Sequence, residues 1–111
     1  MIITSTKNEK IKFALSLKSD AKTRAQNGLC FAEGLRLCAE AFASGRVKTL
    51  FFTREFIEKH PDFPLTGEQT VCEQTVFERV EIGDRVAQTL SDVQNPQGVF
   101  CLCNTAGLKH P

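Results

Sequence analysis

The sequence predicts an α/β fold with a parallel or mixed sheet of about four strands and helices on both sides. Short apolar segments typical of strands alternate along the chain with segments whose apolar residues recur every three or four positions. The run Leu50-Phe51-Phe52 is continuous rather than alternating, which indicates a strand buried on both faces. A length of 111 residues suits one domain, which can bury a core of this kind.

Capping signals set the beginnings of the first two predicted helices. The segment TKNE, residues 6–9, reads as a capping box with Thr6 at the N-cap. The pair Ser19-Asp20 is placed to cap a second short helix that runs through Arg24. The Asn-Gly pair at 27–28 then predicts a turn, because both residues tolerate positive φ.

The later elements follow from apolar pattern, glycines and prolines. In chain order they are a strand over 29–32, a helix over 34–43, a strand over 47–53, a helix over 54–60, a loop over 61–70, a strand beginning at 71–72, a helix opening at a second capping box over 75–78, a helix over 84–90 and a strand over 99–103. The segment SDVQNPQG, residues 91–98, predicts a tight turn, because Pro96 fixes its own φ and Gly98 leaves φ free. Its polar side chains could also form a rim that binds a ligand or a neighbouring domain.

The charge of the chain is balanced overall but unevenly distributed. Residues 1–48 contain nine Lys or Arg and four Asp or Glu, a surplus of +5, and residues 49–111 contain five and nine, a deficit of −4. A basic first half favours an anionic partner such as a nucleic acid. No apolar run reaches the roughly 18 residues of a membrane span, and the N-terminus turns polar too early for a signal peptide. We therefore expect a cytoplasmic protein with no membrane partner.

The cysteines are interpreted as small apolar core residues rather than ligands. They number five, an odd count, and none forms a C-x-x-C pair, so neither a disulfide framework nor a common zinc spacing is present. Cys101 and Cys103 are two positions apart on a predicted strand and are expected on the same face. No metal site is predicted.

No catalytic residue is predicted either. The glycine-rich nucleotide loops, the nucleophile elbow and the zinc-protease helix motif are all missing from the sequence. His60 and His110 lack an evident nucleophile or carboxylate partner, so neither satisfies more than one part of a catalytic constellation.

Glu33 and Gly34 lie where a predicted strand meets a predicted helix. The favoured interpretation is that Glu33 caps this helix, because a carboxylate there accepts hydrogen bonds from first-turn amides and meets the positive end of the dipole. The alternative is that Glu33 orients Arg36 or Arg24 toward a phosphate.

The predicted binding residues are the cations Lys18, Lys22, Arg24 and Arg36. Lys18 and Lys22 are four positions apart and would share a face if they lay on one helix. A cluster of this kind contacts phosphates, and we expect it to form one surface of the fold. No aromatic side chain is expected to sit among these cations and stack on a base, so phosphate contact is expected rather than base recognition.

Motifs along the whole chain resemble one family. They are ITS-x-x-N near the start, then G-x-x-F-x-x-E-G-x-R-L-x-x-E-A over residues 28–41, and S-D-V-x-N-P-Q-G-V over residues 91–99. In these motifs the sequence is similar to the N-terminal substrate-binding domain of the SpoU family of RNA 2′-O-ribose methyltransferases. The resemblance implies a small α/β/α sandwich like the ribosomal proteins that bind kink-turns. The strand–helix corner here lacks the more polar G-x-N-E segment of those proteins, so general phosphate contact is expected rather than kink-specific binding.

The resemblance also implies a function. Residues 1–104 would hold ribosomal or transfer RNA, and residues 105–111 would begin a linker to a C-terminal catalytic domain that this chain lacks. That domain would bind S-adenosylmethionine, transfer its methyl group and form the homodimer of the full-length protein. No cofactor residue is therefore expected in this chain. The alternatives are a stand-alone RNA or ribosome binder and a protein-interaction module without enzymatic activity.

Overall fold

A computed structural model describes residues 2–63 and 77–105 and gives an α/β chain of five helices and five strands in this part of the sequence. The elements in chain order are β1 (Ile2–Ile3), α1 (Glu9–Ser19), α2 (Ala21–Asn27), β2 (Leu29–Glu33), α3 (Leu35–Ala43), β3 (Val47–Phe52), α4 (Arg54–Lys59), β4 (Glu78–Ile82), α5 (Asp84–Leu90) and β5 (Val99–Asn104). None of the helices within the described residues has the length and apolar character needed to cross a bilayer.

The strands form one mixed sheet in the order β1-β4-β3-β5-β2. The pairs β1–β4 and β3–β4 are parallel, whereas β5 is antiparallel to both β3 and β2. The predicted mixed sheet is confirmed, with five strands where about four were expected. The C-terminal ends of β3 and β4 and the beginning of β5 therefore lie at the same edge of the sheet.

Helices cover both faces of the sheet, which makes the domain a three-layer sandwich. On one face, α1 and α5 pack through buried residues such as Leu17 and Val86. On the other face, α3 and α4 pack through residues such as Phe42 and Phe56. Leu50 belongs to the second cluster and its neighbour Phe51 to the first, and both are almost completely buried. The expectation that β3 is covered on both sides is confirmed.

The first helix begins two residues later than predicted. Its N-cap is Asn8, whose side chain accepts a hydrogen bond from Lys10 N at 2.8 Å, so the prediction of Thr6 at this position was wrong. Asn is as good an N-cap as Thr, and the capping-box pattern does not distinguish the two. The next two signals are confirmed: Asp20 caps α2 through Lys22 N at 3.0 Å, and Gly28 has a φ of 64°.

The predicted helix opening at 75–78 is wrong from Glu78 onward, because Glu78–Ile82 is a strand. Val80 and Ile82 are buried while Arg79 is exposed, an alternation of period two that belongs to a strand covered on one side. Pairing with β3 in parallel register selects the strand over the local capping signal. Residues 71–76, where a strand and the start of this helix were predicted, lie outside the described residues.

Candidate functional site

The 91–98 loop, which connects α5 to β5, is bound to the end of β2 by the carboxylate of Glu33. Ser91 Oγ donates a short hydrogen bond to Glu33 Oε2, and the backbone N–H of Asp92 donates to Glu33 Oε1 at 3.2 Å. Helix α3 has no side-chain cap from Glu33, so the predicted capping role was wrong. The carboxylate instead satisfies two donors of a loop that lies 58 and 59 residues further along the chain.

The beginning of α3 is bound by the other end of the same loop. Gln97 Oε1 accepts a hydrogen bond from Leu35 N at 2.8 Å and so satisfies one of the free first-turn amides of the helix. Gly34 has a φ of 102°, and a Cβ at this position would lie 3.1 Å from Gln97 Oε1. The glycine is therefore required both by its backbone conformation and by the approach of Gln97.

Gly98 fixes the end of the loop against β3. Its φ is 87°, its carbonyl accepts a hydrogen bond from Thr53 N at 2.9 Å, and an added Cβ would overlap Thr53 Oγ1. Thr53 Oγ1 in turn accepts a hydrogen bond from Phe56 N at 3.1 Å and caps α4. The two glycines thus allow the loop to pass close to β3 and α3, and together with Glu33 they set its shape.

A depression of about 380 Å³, which we call the corner depression, lies between α1, α2, β2, α3 and this loop. Two cations, Lys18 and Arg24, and two carboxylates, Glu33 and Asp92, line it. Two of the four predicted binding cations therefore lie in one depression with two carboxylates. Its formal charge is balanced.

Both of these cations have partners within the fold. Lys18 Nζ lies 2.6 Å from Asp92 Oδ1 and donates a hydrogen bond to Leu90 O at 2.7 Å, and its side chain is only 19% exposed. Arg24 Nη1 donates hydrogen bonds to Leu17 O and Lys18 O at 2.7 and 3.1 Å, which satisfies carbonyls at the end of α1. These contacts hold α1, α2 and the 91–98 loop together.

The other two predicted cations are open to solvent. Arg36 is 91% exposed, and its Nε lies 3.7 Å from Glu40 Oε2, a loose contact between residues four apart on α3. Lys22 is exposed on α2, and no carboxylate of the described residues forms an ion pair with it. Neither arginine is oriented by Glu33, because Arg24 binds carbonyls and Arg36 faces Glu40.

Apolar groups at the corner were missed by reasoning from the sequence. The Phe31 ring lines the corner depression, with Lys18 Nζ 5.8 Å from its centroid, so the expectation that no aromatic accompanies the cations was wrong. Leu37, on the rim, is 53% exposed, and Val93, in the loop, is 56% exposed. The sequence did indicate that Leu37 is exposed, because residue 37 falls outside the inward positions 35, 38, 41 and 42 of the predicted helix.

Four thiols lie on the side of the sheet that α3 and α4 cover. Cys101 Sγ and Cys103 Sγ are 3.3 Å apart, and both side chains are buried, as expected for residues on one face of a strand. The hydrogen bond with Cys101 and burial raise the pKa of Cys103 above the usual thiol value. At Cys101 the hydrogen bond with Cys103 lowers the pKa, but the hydrogen bond with Cys38 and burial outweigh it, so this pKa is also raised. These thiols remain protonated and serve as core residues.

Within the described residues, no group of three or more His, Cys, Asp or Glu side chains has the arrangement of a metal site. The close approach of Cys101 and Cys103 does not make a metal site among these residues either.

The described fold matches solved structures of larger proteins. An rRNA methyltransferase from Sinorhizobium meliloti is 24% identical with a TM-score of 0.69, over 94% of this chain and 36% of the other. A putative RNA methyltransferase of the TrmH family from Porphyromonas gingivalis is 20% identical with a TM-score of 0.65, over 96% and 39%. The SpoU methyltransferase AviRb from Streptomyces viridochromogenes, solved with AdoMet, is 15% identical with a TM-score of 0.62, over 88% and 36%.

This chain therefore spans between a third and two fifths of the length of each of these proteins. At these identities the likeness establishes the fold. No curated protein sequence matches the chain. Residues 8–101 match the MRM3-like substrate binding domain, a range that contains both the Glu33-Gly34 corner and the 91–98 loop. The chain belongs to the MRM3-like substrate binding domain family.

Proposed function

We propose that this chain holds RNA for an RNA 2′-O-ribose methyltransferase, with Lys18, Lys22, Arg24 and Arg36 as its phosphate-binding residues. The observation that carries the proposal is the corner depression, which Lys18, Arg24 and Phe31 line together, with Lys18 Nζ 5.8 Å from the centroid of the Phe31 ring. Lys22 lies on the same helix as Arg24, and Arg36 precedes Leu37 on the rim of the depression. Lys22 and Arg36 supply exposed charges, whereas Lys18 and Arg24 bind a phosphate only by exchanging Asp92 and the carbonyls at the end of α1 for it.

The methyl transfer belongs to a second domain in this proposal. The structural relatives are named as rRNA or RNA methyltransferases, and AviRb was solved with AdoMet. We extend this to ribosomal or transfer RNA as the substrate and to S-adenosylmethionine as the cofactor of a C-terminal domain that makes the full-length protein a homodimer. Residues 1–104 bind RNA, and residues 105–111 begin the linker to that domain.

We assign no cofactor-binding or catalytic residue to this chain, because the proposal places the cofactor in the C-terminal domain. Free thiols at Cys30, Cys38, Cys101 and Cys103 agree with a cytoplasmic site of action, where thiols remain reduced.

A protein-docking role is the second candidate, and the exposed side chains of Leu37 and Val93 favour it. Ionic strength discriminates between the two candidates. Phosphate contact weakens steeply with salt, whereas apolar docking does not.

The test measures the affinity of the 111-residue chain for a labelled RNA hairpin by fluorescence anisotropy at several salt concentrations. The double variant Lys22→Ala/Arg36→Ala is expected to flatten the plot of log affinity against log salt by about one to two units, because two phosphate contacts are lost. The matched control is Arg46→Ala/Lys48→Ala, which also removes one Arg and one Lys but at the beginning of β3, the end of this strand opposite the 91–98 loop.

Equal slopes for the two double variants would show that the corner is not the binding surface. Failure of the unmodified chain to bind RNA at low salt would reject the RNA-holding role itself.

A further inference from the structure

A second cavity lies on the other side of the 91–98 loop. Its volume is about 490 Å³, and it opens at the edge of the sheet where β3 and β4 end. From these neighbouring parallel strands, α4 passes to one face of the sheet and α5 to the other. Open α/β sheets bind ligands at such topological switch points, where successive helices diverge. We call this cavity the switch-point cleft.

The lining of the cleft is suited to a neutral polar group rather than to a phosphate. Among the lining residues Lys59 carries the permanent positive charge, and its Nζ lies 3.2 Å from Glu55 Oε2. Asp84 adds a further carboxylate to the same wall. With one cation against two carboxylates, the field of the fixed charges does not attract an anion.

Amide side chains provide the recognition chemistry. Gln88, Gln94 and Asn95 line the cleft, and each offers a hydrogen-bond donor and an acceptor in one plane. Amide pairs of this kind match the edges of nucleobases. The His60 ring forms part of the same wall and packs 4.7 Å from the Phe56 ring, which fixes a flat surface on which a base can stack.

The cleft is continuous with the surface assigned to the RNA backbone. Asn95 and Gln97 line both the switch-point cleft and a shallow depression next to Gly34 and Val93. Only the 91–98 loop separates the two. An RNA strand whose phosphates lie at the corner can therefore cross the loop and place one base in the cleft.

We propose that the switch-point cleft receives one unpaired nucleobase of the bound RNA and confers base preference on the domain. This inference rests on the proposed function, because the strand must first be held at the corner. It divides the work between two surfaces: cations at the corner supply affinity without sequence information, and amides in the cleft supply discrimination.

The first test compares binding of single-stranded oligo-U, oligo-A and oligo-C RNAs of twelve nucleotides across a salt series. The unmodified chain is expected to prefer one base, and Gln88→Ala/Gln94→Ala is expected to reduce that preference by about tenfold. The salt slope stays the same, because no phosphate contact is removed. The control is Thr89→Ala. Thr89 follows Gln88 on the exposed side of α5, and its hydroxyl donates a hydrogen bond to Arg85 O and does not line the cleft.

The second test locates the base by NMR. Stacking on His60 is expected to move its ring C–H signals upfield when the preferred oligonucleotide is added, and His60→Gln assigns these signals against those of His110. A His60 signal that stays still while RNA binds overturns the inference, as does an unchanged base preference in Gln88→Ala/Gln94→Ala. In both cases a normal salt slope leaves the proposed function standing. If none of the RNAs binds at low salt, both proposals fall together.

Discussion

The carboxylate of Asp92 in the 91–98 loop forms an ion pair with Lys18 of α1, at the position that the proposed function gives to a phosphate oxygen. The Lys18 Nζ to Asp92 Oδ1 distance is 2.6 Å, and Asp92 is 78% exposed while Lys18 is 19% exposed. An incoming phosphate must therefore compete with this carboxylate for the ammonium group. Under the proposed function, this ion pair lowers the affinity of the corner depression for RNA.

Replacing Asp92 with Asn is expected to strengthen RNA binding. The amide keeps the backbone contact to Glu33 but no longer neutralises Lys18, so one more cation is available to phosphate. We expect a gain of at most about fivefold, the range of a partly exposed ion pair, and a salt slope steeper by about 0.7 for single-stranded RNA. Anisotropy titrations measure both. Glu58→Gln, which removes an exposed negative charge from α4, controls for net charge, and an equal gain in that variant would contradict the prediction.

The contact between Glu33 and Ser91 is expected to couple the loop to β2 energetically. A hydrogen bond to a charged carboxylate contributes about 1.5 to 3 kcal/mol, and a double-mutant cycle with Glu33→Ala and Ser91→Ala measures this contribution to the free energy of unfolding. The control cycle pairs Glu33→Ala with Ser44→Ala, since Ser44 binds carbonyls at the far end of α3. Additive effects of the two substitutions in the first cycle would show that the contact contributes nothing to the free energy of unfolding.

Gly98→Ala is expected to destabilise the domain by about 3 kcal/mol, because the new Cβ overlaps Thr53 Oγ1 in a backbone conformation unsuited to alanine. Gly28→Ala separates the two contributions. Its φ is also positive, at 64°, but the nearest side-chain atom is 4.0 Å away, so only a backbone cost of about 1 kcal/mol is expected. Urea unfolding of both variants measures the difference. Equal losses would mean that the loop moves away from Thr53 at little cost.

The buried thiols predict a loss of stability in alkaline solution. The hydrogen bond with Cys101 and burial raise the pKa of Cys103 above 9.0, the usual thiol value, so the folded chain keeps a proton that the unfolded chain releases. This contribution is complete below pH 9 and is lost as the pH rises from there toward the folded pKa. Urea unfolding at pH 7.5 and pH 9.5 checks it: Cys103→Ala should lose less stability over this step than the unmodified chain. Identical losses would contradict the assignment.

Local signals predicted the elements that local interactions determine. Asp20, Gly28 and Gly34 mark helix and strand boundaries that the structure reproduces, because caps and positive-φ glycines act over a few residues. The sequence predicted a helix where β4 lies, because a Thr-x-x-Glu pattern leads into it. Pairing with β3, almost 30 residues earlier in the chain, makes this segment a strand. The predicted strands over 29–32, 47–53 and 99–103 correspond to β2, β3 and β5, whereas β1 and β4 were not predicted, because strand pairing is not visible in a sequence.

The site was predictable in part. Two of the three motifs that carried the family resemblance, over residues 28–41 and 91–99, contact each other, yet nothing in either motif shows that Glu33 binds Ser91 or that Gln97 caps α3. The ion pair of Lys18 was equally invisible, because Asp92 is 74 positions away in the sequence. Contacts of this length depend on the assembled sheet.

The position of β5 has a consequence for biosynthesis. This strand comes last in the described sequence but lies between β3 and β2, and β2 has no other strand partner among the described residues. Pairing across about 70 residues carries a large loop-closure cost and slows assembly. While the nascent polypeptide emerges from the ribosome, β2 stays without a neighbour until residues 99–104 have left the exit tunnel.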